Sequence, residues 1–220
     1  MNKEPKYKAV EVIFRNSMRC HKCFEQQLVE ASFIDIAQPR WIGPNYFSAV
    51  MRIALVLLNP GAGNTPKKMK SDEPFLQLLY DYRNGKIGLA NFFSFQRQHM
   101  LNWGTPAGRF VRFYIHGMGL ELNSIALANI AWCANLRNKW PRTILSQCFQ
   151  LHTIKLLQII NPNIIVLSGS ATHCFSGEIL RILPNCRLVK TLHYAHREGQ
   201  EREQEEFRRV RYEIASYSPA

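Results

Sequence analysis

The chain has 220 residues, a length one domain fills, and 46% of them are hydrophobic, enough for a sizeable core. No run of about 18 apolar residues occurs, which excludes a membrane-spanning helix, and the opening MNKEPKYKAVEVIFRNS lacks the apolar core of a signal peptide, so the expected location is the cytoplasm, on the nucleoid. The net charge of +12 points to a polyanionic partner, and between Tyr82 and Gly177 nine Lys and Arg face a single acid, Glu121.

Taken in chain order, residues 20 to 37 read as a helix, with Phe24, Leu28 and Phe33 as inward positions. PRWIGPNYF (Pro39 to Phe47) is broken by prolines and glycine and reads as a loop. Ile53 to Leu58 is a short branched apolar run, a strand buried on both faces. A helix follows from Pro74 and stops near Gly85. Leu89 to Met100 and Gly108 to Met118 read as two more helices, separated by NWGTPAG. Ser124 to Trp132 is a second strand, Thr143 to Ile160 a long helix, Asn163 to Ser168 a third strand. Ala171 to Leu183 is a helix, Arg187 to Leu192 a fourth strand and Glu198 to Ala215 a charged last helix. Alternating strands and helices predict an α/β fold: a three-layer α/β/α arrangement around a central, mostly parallel four-stranded sheet. Residues 1–220 are expected to form one domain, with an N-terminal Cys-x-x-Cys helical segment packed on it.

Ligands of such sheets bind at the carboxyl ends of the strands. Asn59 stands at the end of the first strand, Asn129 along the middle one and His193 at the end of the last, so three polar side chains can converge above one sheet. After Asn59 comes NPGAGNTPKK, which fails the phosphate-binding P-loop pattern: Pro66 stands where the second glycine belongs, and no Ser or Thr follows Lys67. It still makes a turn in which Gly61 and Gly63 let backbone amides approach a ligand, with Lys67, Lys68 and Lys70 near enough to hold phosphates.

Six cysteines occur. Cys20 and Cys23 form a C-x-x-C; Cys133 and Cys148 form a second, wider pair. The first pair alone fits half a zinc site, a redox pair or two buried thiols. Four thiolates brought together need a metal or cluster to compensate their charge, and His21 is a spare ligand. Cys174 and Cys186 read as core residues.

Together these segments resemble the uracil-DNA glycosylase superfamily, as separated motifs from about Cys20 to Gly199. LLNPG (Leu57 to Gly61) is similar to the first catalytic motif in its mismatch-specific and thymine-DNA glycosylase form. EPFLQLL (Glu73 to Leu79) resembles the segment whose phenylalanine, here Phe75, stacks on the flipped base. LANIAWC resembles the strand whose asparagine, Asn129, reads the base edge. TLHYAHR (Thr191 to Arg197) resembles the second catalytic motif and the loop entering the DNA. The cysteine layout resembles the iron-sulfur branch, which implies a [4Fe-4S] cluster on Cys20, Cys23, Cys133 and Cys148 that fastens loops without a redox step; zinc at the same cysteines is the alternative. Two departures stand out. Leu58 occupies the position of that branch's glutamate in Gly-Glu-Ala-Pro-Gly, with Asn59 one residue later, and His193-Tyr194 replaces His-Pro.

The resemblance implies a monofunctional DNA glycosylase acting on DNA with a damaged or mismatched base, uracil or a related deaminated base, as a monomer away from membranes. The base leaves the helix first, because its glycosidic bond is unreachable in the stack. Asn59 orients water toward the sugar carbon, a proximity effect. His193 donates to the base oxygen where negative charge accumulates, helped by amides near Gly61. Arg197 fills the gap left by the base or touches the strand backbone. Without a motif carboxylate to stabilise the cationic sugar, turnover slower than in carboxylate-bearing relatives, or a shifted base preference, is expected. Two other readings are a non-catalytic nucleic-acid-binding protein that keeps fold and cluster, and a zinc-stabilised domain acting on a small anionic ligand.

Overall fold

The computed structural model describes residues 4–25, 29–61, 65–101, 108–137 and 139–217. Leu28, Gly63 and most of the expected break NWGTPAG (102–107) lie outside the described residues. Four strands form the sheet: β1 (Ile53–Leu57), β2 (Ile125–Asn129), β3 (Ile164–Ser168) and β4 (Arg187–Thr191). Their order is β2-β1-β3-β4 and all are parallel. Ile53 pairs with Ile164 and Val56 with Leu167, while Ile164 pairs with Arg187 and Ser168 with Thr191. Every residue of β1, β2 and β3 is buried, so both faces of the sheet are covered, as their unbroken apolar runs require. The α/β class read from the sequence is the observed one.

β2, expected in the middle, is an edge strand. Its outer side is closed by residues 41–43: the Leu127 amide donates to Trp41 O (2.7 Å) and the Gly43 amide to Ile125 O (2.9 Å). Edge strands need such cover for their unpaired backbone groups. The close approach demands glycine, because a Cβ at residue 43 would lie 2.1 Å from the Asn123 carbonyl oxygen. Gly43→Ala is therefore expected to destabilise by about 1–3 kcal/mol, lowering Tm by roughly 2–4 °C per kcal/mol. An unchanged melting curve would show that this edge yields freely.

The chain divides into two compact units, Met1–Arg40 with Asn59–Ser94 and Asn129–Ile159, and Trp41–Leu58 with Phe95–Ala128 and Ile160–Ala220. In the first, α1 (Glu4–Met18) buries Val10, Phe14 and Met18, a four-residue spacing that makes one helical face. Phe14 meets Phe92, Phe93 and Trp132 edge-on. Arg15 lies over the Tyr82 ring, 4.4 Å from its centroid, and donates to the Tyr82 carbonyl, so it caps the carboxyl end of α3 (Pro66–Arg83). α3 begins eight residues before the expected Pro74. Thr65 is its N-cap, accepting from the Lys68 amide at 3.2 Å, with Pro66 in the first turn.

The expected helix over residues 20–37 is replaced by the short α2 (Lys22–Glu25) and an extended stretch. Ser32, Ile34 and Ile36 are buried while their neighbours Ala31, Phe33 and Asp35 are not, the two-residue alternation of an extended chain. This stretch lies along residues 132–136, with Gln38 N donating to Trp132 O and Leu136 N to Glu30 O. The long helix expected over 143–160 is observed as α5 (Arg142–Cys148), a π-helical turn (Phe149–Thr153) and α6 (Ile154–Ile160). α4 spans Leu89–Leu101.

The second unit holds the sheet apart from Asn129. It also holds a π-helical segment (Val111–Gly117), where a helix was expected, and α7 (Ser170–His173), α8 (Ser176–Ile182) and α9 (Gln200–Ala215). α7 and α8 stand where one helix was expected; Cys174 and Phe175 turn between them. A Cβ at Gly117 would sit 2.3 Å from the Phe207 ring, so glycine lets α9 dock there. No helix among the described residues is long and apolar enough to cross a membrane.

Candidate functional site

Four cysteines, Cys20, Cys23, Cys133 and Cys148, lie in the first unit. Cys23, Cys133 and Cys148 are buried, Cys20 is half-buried, and none is in a disulfide. Burial raises the Cys133 thiol most, and the charges of Cys148, Cys23 and Cys20 raise it further. Burial pushes Cys148 up to about 12, opposed by a hydrogen bond from the Trp132 amide (3.2 Å) and reinforced by Cys23 and Cys20. Cys133 and Cys148 thus both sense Cys20 and Cys23, and thiolates gathered there need a cationic partner. Among the described residues, no group of three or more His, Cys, Asp and Glu side chains is gathered to hold a single metal ion.

Cys148 is tied to Asn129 through two side chains. The Trp132 amide donates to Cys148 Sγ, and the Trp132 indole donates to Thr153 Oγ1 at 3.0 Å. Thr153 Oγ1 in turn donates to the carbonyl of Asn129 at 2.6 Å. The π-helical turn directly after Cys148 carries Thr153, fully buried, into this position. Neither Trp132 nor Thr153 was singled out from the sequence; a single threonine in an apolar helix carries no local signal.

Asn129 ends β2 and is 1% exposed. Phe75 is also 1% exposed, within α3. Asn59 follows β1 by two residues and is half-buried; its Nδ2 donates to the Pro60 carbonyl at 2.6 Å, which engages the donor end of the amide. Gly61 is exposed, with open space where a Cβ would stand. Lys67 and Lys68 lie in the first turn of α3 rather than in a loop; Lys67 is exposed and Lys68 pairs with the buried carboxylate of Asp72.

In the second unit His193 follows β4 by two residues. Its Nδ1 accepts the Ala195 amide (3.2 Å), which leaves the ring hydrogen on Nε2. Burial, then the charges of His196 and Arg109, lowers its pKa to about 4, so the ring is a neutral donor at physiological pH. His196 repeats the turn: its Nδ1 accepts the Glu198 amide (3.1 Å) and its Nε2 lies 3.5 Å from a Glu203 carboxylate oxygen. Arg109 holds the loop by donating to the His196 carbonyl at 2.8 Å. Arg197 is exposed.

Three residues around His193 lacked assignments in the sequence. Gly169 follows β3 with φ +84°, and a Cβ there would stand 3.3 Å from the His193 Cβ, so both backbone and space call for glycine. The buried Tyr114 hydroxyl bonds Ser168 Oγ at the end of β3 and receives the Tyr194 amide at 3.4 Å. Burial raises the Tyr114 pKa, so it remains a phenol able to make both bonds. A glycine directly after an apolar strand is a readable signal; Tyr114, inside a π-helix, offers none. Because the strands are parallel, all four end at one edge of the sheet.

The same loop predicts a pH dependence. Glu206 on α9 accepts from the Leu192 amide (2.9 Å) and pairs with Arg209. Burial raises its pKa, but hydrogen bonds from Arg209, Thr191 and Leu192 outweigh this and hold it below the ordinary carboxylate value of 4.5. Both groups are depressed in the folded state. The unfolded chain therefore takes up protons first: at His193, and likewise at the buried His152 of the first unit, as pH falls below 6.5, and at Glu206 below 4.5. Tm is expected to be level above pH 6.5, to fall toward pH 4 and to fall further below it. Thermal melts across pH 3.5–8 check this, and a Tm constant between pH 6.5 and 4.5 counts against a buried neutral His193. The chain matches no protein-family model, and comparison with curated proteins finds no match.

Proposed function

We propose that the protein is a monofunctional DNA glycosylase of the uracil-DNA glycosylase type, hydrolysing the bond between a flipped, deaminated or mismatched base and its deoxyribose. The observation that carries the reading is the hydrogen bond that orients His193: its Nδ1 accepts the Ala195 amide, so Nε2 carries the ring hydrogen, and burial, which lowers its pKa, keeps that donor neutral, as an anionic leaving base requires. In the proposed reaction the electron pair of the C1′–N bond leaves with the base, whose negative oxygen accepts from His193 Nε2–H. Water adds to C1′ and releases its proton to solvent. Asn59 has its amide nitrogen committed to Pro60, which assigns the water-orienting part to its carbonyl oxygen. Asn129 reads the base edge and Phe75 stacks on the ring. Gly61 lends its backbone, while Lys67, Lys68 and Arg197 contact the DNA.

Four thiols are the donor type an iron-sulfur cluster takes: Cys20 and Cys23 raise the pKa of Cys133 and Cys148, three of the four are buried and none is in a disulfide. We assign them a [4Fe-4S] cluster, whose part is to fasten their segments together. Zinc at the same cysteines is the alternative.

Single-turnover base release tests the activity, using oligonucleotides that contain deoxyuridine, deoxyinosine, or a G·U or G·T mismatch. Release from at least one is expected; none from any, with folded protein, overturns the proposal. Purified protein is expected to be brown, with absorbance near 400 nm and bound iron; colourless protein with stoichiometric zinc replaces the cluster. One observation favours a second reading, a nucleic-acid-binding protein without catalysis: Phe75 and Asn129 are each 1% exposed. That reading predicts DNA binding with no base release.

A further inference from the structure

A cavity of about 370 Å³ opens in the first unit, away from the residues assigned to base excision. It is bordered by the carboxyl end of α1, by α2 with the turn before it, and by the π-helical turn running into α6. Arg19 and Lys22 line it from one stretch and Lys155 from another, beside one carboxylate, Glu25, and the Cys20 thiol. Among the described residues none of the three cations has an ion-pair partner, whereas Lys8, Arg15, Lys68 and Lys86 in the same unit are all paired. Unpaired cations on a convex surface are ordinary. Three of them around one concavity concentrate a positive potential that favours an anion.

A second observation reports that potential. His152 borders the same cavity, and after burial it is Lys155 and Lys22 that press its pKa down, to about 4. The cavity therefore holds an excess of positive charge even with His152 neutral. The carboxyl end of α1, which would repel an anion, is partly satisfied: the Arg19 amide donates to Asn16 O at 3.2 Å and the Cys20 amide to Ser17 O at 3.0 Å.

We propose that this cavity is a binding site for a phosphate monoester, with Arg19, Lys22 and Lys155 as its ligands. Three cations less one carboxylate match a dianion better than the single charge of a backbone phosphodiester. The guanidinium of Arg19 supplies a planar fork, and the two lysines supply point charges. The volume suits a nucleotide-sized group. Two sources offer that chemistry, a free mononucleotide and the 5′-phosphorylated end of a DNA strand. The inference is independent of the glycosylase reading and stands or falls separately.

Calorimetric titration of the full chain with three probes tests it: 5′-AMP, a short 5′-phosphorylated oligonucleotide, and the same oligonucleotide ending in a 5′-hydroxyl. Binding of the phosphorylated oligonucleotide in clear preference to the hydroxyl form is expected. If 5′-AMP binds as well as the phosphorylated oligonucleotide, the source is the free nucleotide; if it binds much more weakly, the source is the strand end. Arg19→Ala and Lys155→Ala, both at exposed positions, should each weaken binding about tenfold or more, as for hydrogen bonds to a charged group. Glu25→Gln should strengthen binding, an effect that misfolding cannot produce. Arg181→Ala, an exposed cation on α8, serves as the control and should change nothing. Equal binding of the 5′-phosphate and 5′-hydroxyl oligonucleotides, losses in the Arg181 variant matching those of Lys155, or no binding of either phosphorylated probe overturns the proposal.

Discussion

His193→Ala is expected to lower single-turnover base release by about 10²–10³-fold, the usual cost of removing one donor to a developing anion, with affinity for undamaged DNA unchanged. The reason lies in how the ring is held. Its Nδ1 is fixed by the Ala195 amide, its charge is suppressed by burial, and its Cβ sits against Gly169. A pre-oriented neutral donor stabilises an anion without reorganising first. Gly169→Ala provides a separate check, because it leaves the imidazole in place chemically while crowding it. It should slow base release by less than the loss of the ring, and thermal stability should fall with it. Asn59→Asp is expected to act in the opposite direction, because a carboxylate beside the sugar stabilises its cationic transition state. If His193→Ala releases base at the parent rate, the imidazole is not the donor, and the second reading of the site gains.

Loss of Cys148 should have the largest effect on the first unit. Cys148→Ala removes one of four neighbouring thiols and the acceptor of the buried Trp132 amide. Absorbance near 400 nm and bound iron are expected to be lost, with a large fall in Tm, as when a metal site that contributes directly to folding is broken. Thr153→Val separates the cysteine from the network it anchors. The valine keeps the shape but leaves the Trp132 indole without its acceptor and removes the donor to the Asn129 carbonyl. Stranding buried groups costs about 1–3 kcal/mol, or roughly 2–4 °C of Tm per kcal/mol, while iron content stays at the parent level. Base selectivity should loosen along with stability, because the backbone of Asn129 is then held on fewer sides. A Thr153→Val protein that melts like the parent and keeps its selectivity would show that this chain of bonds positions nothing.

Those two predictions draw on different kinds of information. The residues they start from are ones the amino-acid order singles out: Asn59 and His193 follow apolar strands, and Cys148 is one of six cysteines. The residues that hold them are not. Thr153 reaches the Asn129 carbonyl only because a π-helical turn rotates it there, and Tyr114 reaches Ser168 across 54 positions of chain.

What the sequence determined by itself is what short-range chemistry controls. Runs of branched apolar residues can only be buried strands, so Ile53–Leu57 and Ile164–Ser168 were readable to within a residue. Alternation of those strands with helices determined the α/β class, and the excess of Lys and Arg determined the charge of the surface. Tertiary structure decided whatever depends on closing long stretches of chain. It decided that β2 lies at the edge and that residues 29–40 run extended beside 132–136 instead of coiling. It decided that thiols more than a hundred residues apart lie close enough to raise one another's pKa. It also decided which ring nitrogen of His193 keeps its hydrogen. The physical reason is common to all of these. Helix and strand preferences are summed over neighbouring residues, whereas strand order, burial and protonation are determined by which distant groups the folded chain brings into contact.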